Sequence, residues 1–97
     1  MSVIWSATAT DQLVAIRDTL ARSSPGYAQA LVDRIVRRAA TLRGMPMIGS
    51  GVPEYNDPAV RELVEHPYRI LYRTDGTTAE VVGVIHAARR LPGTPPG

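Results

Sequence analysis

Ninety-seven residues suffice for one domain and leave no room for a second core. A net charge of +2 is too small for charge alone to mark a nucleic-acid binder, and the absence of cysteine excludes disulfides and thiolate metal sites. All eleven basic residues are arginine, which removes any lysine nucleophile or lysine base. The arginine-only pattern fits coding bias, and it also fits a need for planar forks that match carboxylates or phosphates.

Val3-Ile4-Trp5 reads as a short opening strand, with Trp5 in the core. Ser6 to Thr10 offers several N-caps for a first helix, in which Leu13, Ile16 and Leu20 recur at helical spacing. "RSSPG" interrupts it. Ser24 followed by Pro25 starts a second helix, because a proline at the first helical position gives up no needed N–H. Ala28, Leu31, Ile35, Ala39 and Leu42 form its apolar stripe, and Arg34, Arg37 and Arg38 read as a solvated face. Gly44 and Pro46 end it, and "MPMIGSGVPEYNDP" reads as a surface loop. Three strands are expected next, over Val60–Glu65, Tyr68–Thr74 and Ala79–His86. Pro67 marks a turn or bulge between the first two, and Asp75-Gly76 a hairpin turn between the last two.

This order predicts an α+β two-layer sandwich: an N-terminal strand and an antiparallel helix hairpin on one face of a twisted antiparallel sheet, β-α-α-β-β-β. The other sheet face is expected to stay open. Strand alternation puts Tyr68, Ile70 and Tyr72 on one side, toward the helices, and Arg69, Leu71 and Arg73 on the other. Residues 1–91 are expected to form the domain and 92–97 a flexible Pro/Gly-rich tail. "MSVIWSATATDQ" has neither a basic start nor a long apolar run, and no stretch approaches a membrane span, so a cytoplasmic protein without a membrane partner is expected.

"SPGYAQALVDRI", "RELVEHPYRILYR" and "VVGVIHAARRL", behind the early tryptophan strand, together resemble the ParE/RelE superfamily of type II toxins, in order and over nearly the whole chain. The resemblance implies a cognate antitoxin whose C-terminal segment wraps the toxin. It also implies one of two targets: DNA gyrase, poisoned without catalysis in the ParE manner, or messenger RNA on the ribosome, cut in the RelE manner.

Metal-free RNA cleavage needs an acid, a base and cations at the phosphorane. For that alternative the candidates are Arg61, His86 and Arg89, with Glu62 as a base and Tyr68 or Tyr72 as an acid. The RelE-like pattern places lysines centrally and a histidine or tyrosine near the end. This chain has no lysine, and neither residue follows His86, which favours the ParE side and no catalytic residue. Arg61, Arg69, Arg73, Arg89 and Arg90 are then the expected antitoxin or target contacts, through charge-assisted bonds to an acidic, apolar segment. No cofactor and no metal is expected, since His66 is the only histidine besides His86. An inactive relative, or a small nucleic-acid-binding module of similar fold, are the other outcomes.

Overall fold

The computed structural model describes residues 3–97. Its elements are β1 (Val3–Trp5), α1 (Ala7–Ala21), α2 (Pro25–Ala40) with a 3₁₀ turn at Thr41–Arg43, β2 (Ser50–Gly51), β3 (Val60–Glu65), β4 (Tyr68–Thr74) and β5 (Ala79–His86). The bounds of β3, β4 and β5 are those expected from the sequence.

Local chemistry accounts for the element ends. The Ser6 hydroxyl accepts the Ala9 N–H at 3.1 Å and so caps α1. Pro25 opens α2 at its first position, while the Ser24 side chain makes no capping bond. Gly76 takes φ 93° in the β4–β5 turn, where a side chain would be strained. The Asp75 carboxylate accepts the Thr77 and Thr78 N–H groups, both at 2.8 Å, and these bonds, Thr78's foremost, hold its pKa below the ordinary value.

The five strands form one sheet in the order β1-β5-β4-β3-β2. β3, β4 and β5 pair antiparallel as a meander, β2 adds antiparallel to β3, and β1 lies parallel to β5, so the sheet is mixed. α1 packs over β5 and α2 over β3, which places the helix hairpin on one face. The stripe on α2 behaves as its spacing demands: Ala28, Leu31, Ile35 and Ala39 are buried, with Leu42 just beyond the helix. Leu31, Ile35, Leu63, Ile70, Tyr72, Val81 and Val84 make the main core, and Trp5, Leu13, Ile16, Leu20 and Tyr68 close its rim. Burying each of the larger aliphatic side chains contributes about 1.5–3 kcal/mol.

Val81 and Val84, three apart, both belong to this core. Strict alternation would set them on opposite faces. A register shift resolves this: Tyr72 faces Val81 whereas its neighbour Leu71 faces Gly83, so β5 carries an extra residue there. Val82 consequently joins Val60, Leu71, Ile85, Val52 and Leu91 in a second core on the far side of the sheet, with Tyr55 packed against it.

That second core corrects one expectation. The face away from the helices is covered, not open. The 52–58 loop and the chain after β5 lie on it: Leu91 is buried, and the Tyr55 hydroxyl donates to the Pro92 carbonyl at 2.8 Å with the Thr94 carbonyl 3.3 Å away. The physical reason is the apolar content of that face. Val60, Leu71, Val82 and Ile85 form a patch too large to leave wet.

Candidate partner-binding groove and the arginines around it

A groove of about 850 Å³ runs along β5 beyond the end of β1. One wall is α1, through Gln12, Ile16, Thr19 and Leu20. The floor is Tyr68, Val84, Ile85 and His86, and the outer wall is the segment from Ala88 to Pro92. Apolar floor and walls with a polar rim are the composition expected of a partner-binding surface.

Arg89 and Arg90 form the rim. Both are exposed, and neither makes an ion pair among the described residues. They follow a tight turn in which the Arg89 N–H bonds the His86 carbonyl at 2.9 Å and the Ala88 N–H bonds His86 Nδ1 at 3.0 Å. With Nδ1 turned to the Ala88 N–H, Nε2 is the ring nitrogen directed away from this turn. The ring meets Tyr68 edge-on at 5.3 Å between centroids. Burial, with the Tyr27 phenol adding to it and Arg89 opposing it, holds the Tyr68 hydroxyl above its ordinary pKa, so it remains a donor at neutral pH.

The other predicted arginines are occupied elsewhere. Arg69 points away from the helices, as alternation requires, but its side chain is only 12% exposed. Nε and one terminal nitrogen donate to Glu62 at 2.6 and 2.9 Å, and the two terminal nitrogens donate to Glu54 at 2.6 and 2.9 Å. This bidentate contact on both sides raises the pKa of Arg69 further and lowers that of Glu54 to about 2. The guanidinium thus bolts the 52–58 loop to the sheet. Arg73 makes a looser pair with Asp57 at 3.3 Å, with both side chains well exposed.

Arg61 faces the helix side, opposite Tyr72. It donates to the Gly49 carbonyl at 2.6 Å and the Met47 carbonyl at 3.4 Å, and its buried Nε has no partner among the described residues. The Tyr72 hydroxyl accepts the Gly49 N–H at 2.9 Å beside it. Burial keeps that phenol above its ordinary pKa. Arg61 and Tyr72 therefore fix the 47–49 loop. Arg34, read as solvated, bonds Glu65 at 3.4 Å and the His66 carbonyl at 3.0 Å, tying α2 to the β3–β4 turn.

The candidates for RNA chemistry converge only in part. Arg61 sits level with Tyr72 on β3, whereas His86 sits level with Tyr68 on β5, with β4 between them. At ~3.3 Å per residue and ~4.8 Å per strand their backbones are about 16 Å apart. Glu62 lies on the opposite sheet face, both carboxylate oxygens held by Arg69. The fold brings His86, Tyr68, Arg89 and Arg90 together and leaves Arg61, Glu62, Arg69, Arg73 and Tyr72 outside that cluster. Among the described residues, no group of three or more His, Cys, Asp or Glu is placed to hold a metal, and no helix is long and apolar enough to cross a membrane.

Residues that sequence reasoning missed include Gln12, Tyr55 and Leu91. A lone tyrosine in a Gly/Pro-rich loop and a lone leucine in a Pro/Gly-rich tail were the available signals for the last two. Gln12 gave none, because its partner is 72 residues away.

Comparison with known proteins agrees with this architecture. The family model described as the ParE toxin of the type II toxin-antitoxin system parDE matches residues 3–91. A solved structure described as the chromosomal ParDE TA system from P. aeruginosa superposes with a TM-score of 0.74 at 28% identity, covering 89% of this chain and 95% of that one. No curated protein matches.

Proposed function

The chain belongs to the ParE toxin family of type II toxin–antitoxin systems, and from that premise we propose that it poisons DNA gyrase by binding, without catalysis, until a cognate antitoxin neutralises it. The observation that carries the non-catalytic reading is the separation of the candidate groups. An acid, a base and a phosphate-stabilising cation must all reach one scissile bond. Here the central arginine and the terminal histidine lie about 16 Å apart in the sheet geometry, and the one glutamate considered as a base is ion-paired on the far face.

The antitoxin seat in this reading is the groove beside β5. Its apolar length gives a folding-on-binding segment area to bury, and Arg89 and Arg90 offer carboxylates two forks at the rim. Strand addition to the free part of β5 fits the same slot. The P. aeruginosa relative's description as a ParDE toxin–antitoxin system supports a partner of this kind. The clustering of His86, Tyr68 and Arg89 favours a second reading, RelE-like messenger cleavage on the ribosome.

Induction of the chain alone in a bacterium, with plasmid topology and messenger ends read in parallel, separates the two. Lost supercoiling or broken DNA with intact messages is expected. Cut messages with normal supercoiling would reverse the ranking, and unimpaired growth would mark an inactive relative in that host. Restoration of growth by co-expression of a cognate antitoxin is the expected result for the partner half of the proposal.

A further inference from the structure

The stretch from Met45 to Gly49, between the 3₁₀ turn and β2, is pinned to the fold and yet turns its apolar side chains outward. The Ile48 N–H closes on the Met45 carbonyl at 3.1 Å, and Pro46 and Gly49 are buried. Arg61 holds the Gly49 carbonyl and the Tyr72 hydroxyl holds the Gly49 N–H. Met45, Met47 and Ile48 nevertheless stand 52%, 49% and 46% exposed. Single exposed apolar side chains are ordinary on a protein surface, but three within four positions of one turn form a patch. A turn already fixed by its own bonds loses little freedom when it docks, which favours binding.

Cations flank this patch. Between Asp33 and Glu54 the sequence holds four arginines and no acidic residue. Arg34 is bonded to Glu65. Arg37 and Arg38 in the last turn of α2, and Arg43 two positions before Met45, make no ion pair among the described residues. Methionine and arginine are both enriched where proteins meet, and the unbranched thioether adapts to an irregular pocket. Charge decides the occupant. A second copy meeting this face about a twofold axis would set arginines against arginines, while the chain's own Glu54, Asp57, Glu62 and Glu65 are already bonded to its arginines. A phosphate backbone would match the cations and leave the apolar turn uncovered. An acidic protein surface with an apolar pocket matches both.

We propose that the Met45–Ile48 turn, flanked by Arg37, Arg38 and Arg43, is the surface that seats the poisoned protein, gyrase in the function proposed above, by entering an apolar pocket bordered by carboxylates. This rests on the gyrase reading and adds where on the toxin the contact lies. The turn leads into β2, at the sheet edge opposite β1. β2 lies three strand spacings from β5 and its groove, about 14 Å in sheet geometry. The seats for antitoxin and for target are thus different surfaces of one domain.

The test uses the full-length chain made in a cell-free system and purified gyrase, with and without duplex DNA, and reads affinity by biolayer interferometry. Met47→Ser with Ile48→Ser removes the apolar turn, and Arg37→Glu with Arg43→Glu reverses its flank. Arg17→Glu with Arg22→Glu makes the same charge change elsewhere, Arg22 lying at the other end of the 16-residue α2, about 24 Å away. Both patch variants are expected to bind gyrase at least about tenfold more weakly, with the Tm of the unaltered chain. The Arg17 and Arg22 variant is expected to bind close to the original. Undiminished binding by the serine variant would overturn the proposal and leave the gyrase reading standing. An equal loss in the Arg17 and Arg22 variant would reduce the effect to overall charge and overturn it too. No binding of gyrase by the unaltered chain would remove the gyrase reading and this proposal with it. Binding to phosphatidylglycerol vesicles that the serine variant loses, with gyrase binding kept, would assign the turn to a lipid surface instead.

Discussion

Replacing Arg69 by methionine separates two roles for that arginine. If it served a partner, its loss would weaken binding and leave the fold alone. The structure makes it the bolt between the 52–58 loop and the sheet, with its side chain 12% exposed and the Glu62 side chain 11% exposed beneath it. Removing the cation leaves Glu62 as a nearly buried carboxylate with no counter-charge, a change that costs about 3–5 kcal/mol in comparable sites. Glu54 contributes less: it is 45% exposed, so solvent screening limits its share to about 1 kcal/mol at most. We expect Arg69→Met to lose about 3 kcal/mol, taken from the low end of the buried-pair range because the loop can relax into water. For a domain of this size that corresponds to a fall in Tm of about 12–24 °C, and a typical stability of about 5–15 kcal/mol leaves the variant folded in the cold.

Urea unfolding read by the fluorescence of Trp5, the sole tryptophan and part of the core rim, measures the loss directly. Arg69→Met combined with Glu62→Leu should recover most of it, because the orphaned charge is then gone. The pH dependence supplies a second check. The Glu54 carboxyl has a pKa near 4.5 when unperturbed and about 2 in the fold, chiefly through its bond to Arg69. Its stabilisation is therefore complete above about 4.5 and is lost as the pH falls toward 2. Arg69→Met should flatten that acid limb. If Arg69→Met unfolded within about 0.5 kcal/mol of the original chain, the size of an ordinary surface change, the bolt would be refuted and a binding role for Arg69 reinstated.

Gly49→Ala should lower stability by about 1–3 kcal/mol or more, because the new Cβ would stand 2.5 Å from the Glu62 carbonyl oxygen and 2.6 Å from the Tyr72 hydroxyl; an unchanged Tm would mean that the 47–49 loop is not seated on Arg61 and Tyr72. Reversing the groove rim with Arg89→Glu and Arg90→Glu should weaken antitoxin binding by about tenfold or more in calorimetry, whereas Arg37→Glu and Arg38→Glu on α2 serve as controls with little effect. His86→Asn should leave growth arrest intact under the gyrase reading, and relief of the arrest in a protein that still folds would count for RNA cleavage instead.

Much of the fold was legible because its signals are local. The α2 stripe, the Pro25 start, the Asp75-Gly76 turn and the three meander strands each rest on residues within a few positions of one another. The alternation in β4 correctly sends Tyr72 to the helices and Arg69 away from them. What the alternation does not carry is the destination of the outward side. Leu71 between two arginines, and Val82 and Ile85 in β5, were the hints that a second core lies there. The covering groups, Val52, Tyr55 and Leu91, come from a loop and a tail whose paths no local pattern sets. The parallel docking of β1 on β5 is hidden for the same reason, since it joins residues more than seventy positions apart.

The arginines teach the sharper lesson about sites. Their number suggested a basic face, yet a cation is available to a partner only where the chain's own carboxylates cannot reach it. Arg69 lies one strand from Glu62 and under a loop carrying Glu54, Arg73 lies under Asp57, and Arg34 lies over Glu65. Each of those carboxylates falls between residues 54 and 65, the stretch that folds back onto β4 and α2. After Glu80 the sequence contains no acidic residue at all. Arg89 and Arg90 fall in that acid-free stretch, and they are the predicted contacts that the fold leaves exposed and without an ion pair among the described residues. Local depletion of opposite charge, which is readable from the sequence, therefore selects the groove rim where the count of arginines does not. It does so for an electrostatic reason: desolvating a cation for a partner is cheap only if no internal ion pair must first be broken.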